Sequence, residues 1–173
     1  MGYTTYFTGQ INVEPALNPQ EIEFLKKFNE TRRINRTKGP YFVDGSGSFG
    51  QGSDPDITNF NQPPEGQPSL WCQWTPTEDG TAIVWDEGEK FYESPEWMAY
   101  LIEHFLAPNP KALSELQFLQ GHMLNGTISA QGEEPSDMWL LHVRNNVVSV
   151  EELVATPTGS ERVIGGTPAL PSK

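Results

Sequence analysis

The sequence predicts an α+β fold: an antiparallel sheet of about five strands, two or three helices packed on one face, and a long Gly/Pro-rich loop. Three observations carry this. Several segments alternate apolar and polar residues with period two, the strand signature. Two short runs, Asn18-Pro19-Gln20-Glu21 and Ser94-Pro95-Glu96, combine a cap residue, a first-turn proline and an acid, the signature of a helix start. Strands and helices then segregate, with no βαβ alternation. A chain of 173 residues, 36% of them hydrophobic, suits one domain with a real core. We expect a single α+β domain over 1–154 and an extended C-terminal tail over 155–173.

The elements follow in order. Residues 3–13 place Tyr3, Thr5, Phe7, Gly9, Ile11 and Val13 on one side of a strand. The helix capped by Asn18 should run to about Arg33, with Ile22, Leu25 and Phe28 as its apolar stripe and Arg32 and Arg33 in its last turn, where cations suit the dipole. Residues 36–68 form the long loop, a lid or plain irregular packing. Strands at 69–74 and 81–86 flank the turn TPTEDG. The helix that starts at Ser94 ends before Pro108 and Pro110, and 111–120 should form a short helix. Residues 124–130 and 138–144 make a second hairpin. Asn145-Asn146 then turns the chain into a strand over 147–150.

Charge is distributed unevenly. Residues 1–38 carry six bases against four acids, and 39–173 carry five bases against nineteen acids, for a net charge of −12. The acidic bulk repels phosphate backbones, so direct nucleic-acid binding is not expected. No stretch approaches the roughly 20 apolar residues of a membrane span. The opening MGYTTYFTGQINV has no basic-then-apolar leader pattern, and one cysteine cannot form an internal disulfide. A cytoplasmic setting is therefore expected, and no cofactor motif is seen.

Four of the five tryptophans (Trp71, Trp74, Trp85 and Trp97) fall between Gly66 and Phe105, marking a structural centre or a working site. Arg32, Arg33, Trp71, Gln73, Trp74 and Trp85 are candidate ligand-binding residues. Arginines hold phosphate in a bidentate grip and tryptophans stack a base, so the set suits a small phosphorylated ligand. Asp86, Glu87 and Glu89 are a weaker candidate set for a hard cation or for acid–base chemistry, against the plainer reading of a solvated turn. Cys72 has no base beside it in sequence to lower its pKa and reads as a core thiol. His104 lies on an apolar helix face and reads as a hydrogen-bonded core histidine.

A set of short motifs adds a resemblance. Gly2-Tyr3-Thr4-Thr5, Thr31-Arg32-Arg33, Leu70-Trp71-Cys72-Gln73-Trp74, Thr77-Glu78-Asp79-Gly80, Gly88-Glu89-Lys90-Phe91-Tyr92, Leu124-Asn125-Gly126 and Gln131-Gly132-Glu133 span roughly 2–150. Together they resemble a family of small proteins found among tailed bacteriophages, large DNA viruses and bacteria. Tyr6 replaces an acid and Ala130 a tryptophan of that pattern. The resemblance implies a phage or viral setting, hence host cytoplasm or virion, and implies no reaction.

Three functions are then expected, in order. The first is a non-enzymatic binding or interaction protein, a virion component or an acidic binder of a host factor, with a protein partner or a second copy. The next is a small nucleotide-binding or sequestering protein. The last is a metal-assisted hydrolase.

Overall fold

A computed structural model describes residues 2–153 and 161–170. Nine strands and two short helices are found among them: β1 Tyr6–Glu14, α1 Pro19–Glu30, β2 Asn35–Arg36, β3 Ile57–Asn59, β4 Trp74–Pro76, β5 Ala82–Trp85, α2 Ser94–Leu101, β6 Met123–Gln131, β7 Met138–Arg144, β8 Val147–Glu152 and β9 Glu161–Gly166. Seven strands form one antiparallel sheet in the order β4-β5-β1-β6-β7-β8-β9, and β2 and β3 form a separate ribbon.

The expected architecture therefore needs correction: the molecule is mostly sheet, not five strands under two or three helices. The strand undercount has a physical cause at the C-terminal side. Glu161–Gly166 lies inside the stretch expected as a tail, yet it pairs along β8. Gly165 and Gly166 sit at φ +153 and +117, and a Cβ on Gly166 would collide with the Asn146 carbonyl. Two glycines that read as looseness are what lets the edge strand lie this close. Residues 154–160 and 171–173 of that stretch are outside the described residues. The expected helix at 111–120 is a series of turns, held by Lys111 and Ala112 donating back to the carbonyls of Glu103 and His104. Residues 69–73, expected as most of a strand, are a bend followed by irregular chain, and strand pairing starts only at Trp74.

Helix α1 begins as expected. Asn18 accepts from the Glu21 amide, and Glu21 accepts from the Asn18 amide, a reciprocal capping box. The helix stops at Glu30, three residues earlier than expected. Thr31 there turns its hydroxyl back onto the Lys27 carbonyl, so Arg32 and Arg33 lie beyond the last turn. In α2 the cap is Glu93, in left-handed backbone at φ 58, rather than Ser94. The helix continues into a wider π-turn over Ile102–Leu106 before Pro108.

Phe24 and Phe28 of α1 pack edge-to-face on Phe105 and, for Phe28, on Trp97. Phe7, Ile11 and Val13 of β1, Leu124 and Ile128 of β6, and Leu141 and Val143 of β7 face that layer and are buried. The opposite face of the sheet carries Thr8, Gln10 and Asn12, with Asn125, Thr127 and Ser129. This is the alternation of a sheet with one covered face and one wet face.

One buried polar strut ties α1 to the start of β6. His122 Nε2 lies 2.8 Å from Glu21 Oε2, and Nδ1 lies 2.7 Å from the Pro15 carbonyl. Both ring nitrogens face acceptors, which suits a charged imidazolium beside a carboxylate. Burial opposes that charge, but the Glu21 and Pro15 contacts outweigh it, so the His122 pKa is raised. Burial likewise opposes the Glu21 charge, yet hydrogen bonds from His122, Asn18 and Gln120 hold its pKa down.

Candidate functional site

The structure brings the end of α1 beside the tryptophan block, but it commits the arginines to the loop. Arg32 amide donates to the Phe49 carbonyl and Arg33 amide to the Leu70 carbonyl at 2.7 Å. The Arg32 guanidinium bonds the Phe60 carbonyl and Asn61. The Arg33 guanidinium is buried, lies 4.1 Å over the Phe28 ring, and donates to the carbonyls of Phe42 and Pro40. Its Nε and Nη1 have no partner among the described residues. Burial lowers its pKa to about 10, so it remains charged at neutral pH. Arg36 is buried too, held between Asp54, Asp56 and the Gly50 carbonyl. These cations are struts of the 36–68 loop rather than an open phosphate grip.

The aromatic members divide similarly. Trp74 is buried, its indole N–H donating to the Ser94 carbonyl at 2.8 Å. Trp71 meets Phe49 edge-to-face on the loop side. Trp85 packs on Phe7 and Tyr6, on the other side of the block. Gln73 donates to the Glu89 carbonyl at 2.9 Å and faces the Trp85 indole. Trp71 and Arg32 share the Phe49 neighbourhood, whereas Gln73, Trp74 and Trp85 build the β4–β5 corner.

The carboxylate candidates fan outward. Asp86 accepts from Asn29 and from the Gly88 amide, and Glu87 and Glu89 are exposed. The Cys72 thiol is fully buried, and burial pushes its pKa up to about 12, leaving no thiolate at neutral pH. His104 stacks on Tyr100 at 3.8 Å and meets the Tyr41 hydroxyl at 2.7 Å. Burial, with Lys111 nearby, lowers its pKa to about 4, so it is neutral.

A different concavity stands out. A cleft of about 590 Å³ opens where the N-terminus of α2 meets the ends of β7, β8 and β9. Trp139 and Glu152 face each other across β7–β8, and Arg162 pairs with Val150 across β8–β9, all on the helix-bearing side of the sheet. Tyr92, Glu93 and Glu96 form the opposite wall, and Tyr3 closes one end by donating to Asp137 at 2.6 Å. Four carboxylates (Glu93, Glu96, Asp137 and Glu152) line it against one base, Arg162. Burial raises the Glu96 pKa, and the charge of neighbouring Glu93 raises it further against the pull of Arg162. Glu93 is itself held at φ 58, third in a series of left-handed non-glycine residues after Glu87 and Lys90. Such backbone costs about 1–3 kcal/mol per residue and persists where surrounding contacts over-determine it.

Sequence reasoning missed this site because its walls come from distant segments. Glu93-Ser94-Pro95-Glu96 read only as a helix start. One signal was available: Glu93 and Glu96 place two acids at a single helix start, where the dipole favours negative charge.

The chain was compared with protein-family models, curated proteins and solved structures, and none matches. Among the described residues, no helix is long and apolar enough to cross a membrane.

Proposed function

We propose that this chain is a non-enzymatic binding protein whose α2 cleft takes a lysine or arginine side chain of a protein partner. The observation that carries this is the Glu93–Glu96 pair. Glu96 is half-buried, and the neighbouring Glu93 charge adds to the cost of ionising it, a cost that a bound cation relieves. Trp139, Tyr92 and Phe91 in the cleft wall offer apolar surface to an aliphatic stem and ring faces to its charged head. The net charge of −12 draws a basic partner toward the molecule and repels anionic ones.

A phage or viral setting belongs to this proposal on the strength of the motif resemblance alone. A host factor with a basic surface, or a basic segment of a virion neighbour, is the class of partner it takes.

The test uses blocked peptides that carry one arginine, with a norleucine peptide of the same length as control. Nuclear magnetic resonance follows the Trp139 indole N–H and the Glu96 amide during titration. Saturable shifts with the arginine peptide alone are expected. Equal shifts with both peptides, or an unmoved Trp139 signal, overturn the reading.

A further inference from the structure

The wet face of the same three strands, opposite the cleft, carries a second constellation. His142 on β7, Glu151 on β8 and Glu161 on β9 each offer one donor atom, and these atoms all lie within 4.8 Å of one another. The register produces this: Glu151 pairs directly with Glu161, and His142 pairs with Ser149, one diagonal step from Glu151. The His142 side chain is only 9% exposed, so its ring is set by packing. Its Nδ1 lies 2.9 Å from the exposed Thr127 hydroxyl, and its Nε2 lies 2.8 Å from Glu151 Oε1. Arg144 pairs with Glu161 at the edge of the group.

We propose that His142, Glu151 and Glu161 bind one divalent transition-metal ion of the zinc class. The donor chemistry fits. Imidazole nitrogen and carboxylate oxygen are both zinc ligands, and three protein ligands with a fourth position left to water is the pattern of open zinc sites. A neutral imidazole and two carboxylates also balance a dication. Thr127 supplies the outer contact that fixes which ring nitrogen faces the ion. Ligand atoms about 2.0–2.2 Å from zinc sit roughly 3.3 Å apart in a tetrahedron, so a small rotation of the two glutamates closes the group. The Arg144 guanidinium is a resident cation at that position, which the ion displaces. Bound there, the ion clips edge strand β9 to β7 and β8.

The experiment titrates the full chain with Co²⁺, read by visible d–d absorption, and with Zn²⁺, read by competition and by thermal unfolding. One equivalent with tetrahedral-type bands is expected, and Zn²⁺ at a hundredfold excess over Kd raises Tm by roughly 5–10 °C. His142→Ala should abolish the bands. Glu161→Gln, on an exposed edge strand and harmless to the core, should weaken binding at least tenfold. Arg144→Ala should tighten it several-fold. No saturable Co²⁺ signal in the unmodified chain, undiminished binding in Glu161→Gln, or weaker binding in Arg144→Ala overturns the proposal.

Discussion

Two groups of carboxylates in this molecule carry similar formal charge and differ in everything else. Asp86, Glu87 and Glu89 are neighbours in sequence, stand at a hairpin end and fan into solvent. Glu93, Glu96, Asp137 and Glu152 come from three stretches of chain and converge on one cleft beside aromatic rings. Density of charge in the sequence marked the first group, yet convergence in space singles out the second. Water screens the first group at almost no cost. In the second, burial and a like-charged neighbour raise the cost of ionising Glu96, the cost that the proposed cation would relieve. The comparison teaches that a carboxylate's use is set by what surrounds it, and a third case, Glu21, completes the series: fully buried, but fully paired.

Breaking the paired extreme should have the largest effect. Glu21→Gln leaves His122 buried without its counter-ion and should cost about 3–5 kcal/mol in urea unfolding. The pH dependence follows from both partners. The lowered Glu21 pKa gives stability that is present above the unfolded value near pH 4.3 and is lost as pH falls through the folded value. The raised His122 pKa gives stability that is complete below the unfolded value near pH 6.5 and is lost as pH rises through the folded value. The difference in stability between the parent and Glu21→Gln should thus peak between about pH 4.3 and 6.5. A flat difference from pH 3 to 9 would show that the pair is not ionic.

The cleft should give a smaller effect of opposite sign. Because the Glu96 pKa is raised, the folded state holds its proton more tightly and loses ground as pH rises from the unfolded value near 4.3 through the folded one. Glu96→Gln should therefore raise Tm slightly, by about 1–3 °C at pH 7, and leave it unchanged at pH 3. Calorimetry at the two pH values checks this. Smallest of all, Glu87→Gln with Glu89→Gln should move stability by no more than about 0.5 kcal/mol at any pH, as expected of solvated side chains.

Several of the strands and the start of α1 were readable from the residues, whereas the cap of α2 was placed one residue late. The alternation at Phe7, Ile11 and Val13 and the reciprocal cap of Asn18 and Glu21 are local patterns, and local patterns survive folding. The antiparallel register also left its mark in Asn145-Asn146, whose φ values of 49 and 69 close the β7–β8 turn. Strand β9 was hidden because Gly165 and Gly166 suggest a loose tail to any reading of local propensity. Only the approach of Asn146 and Ala99 shows why glycine is needed there. The expected ligand set failed to assemble for a related reason. Composition marks Arg33 as a cation but not its direction, and the chain turns it inward over Phe28. The cleft joins residue 3 to residue 162, a closure that no short motif records.

The most direct test sets the two carboxylate groups against each other at equal charge. Glu93→Gln with Glu96→Gln and Glu87→Gln with Glu89→Gln each remove two negative charges, so long-range attraction to a basic peptide changes equally in both. Calorimetric titration with one arginine-bearing peptide at physiological salt should show at least a tenfold weaker affinity for the cleft variant, about 1.4 kcal/mol, and less than a twofold change for the hairpin variant. Equal losses in the two variants would contradict the account, because they would mean that the protein attracts cations by its overall charge and that the cleft does nothing particular.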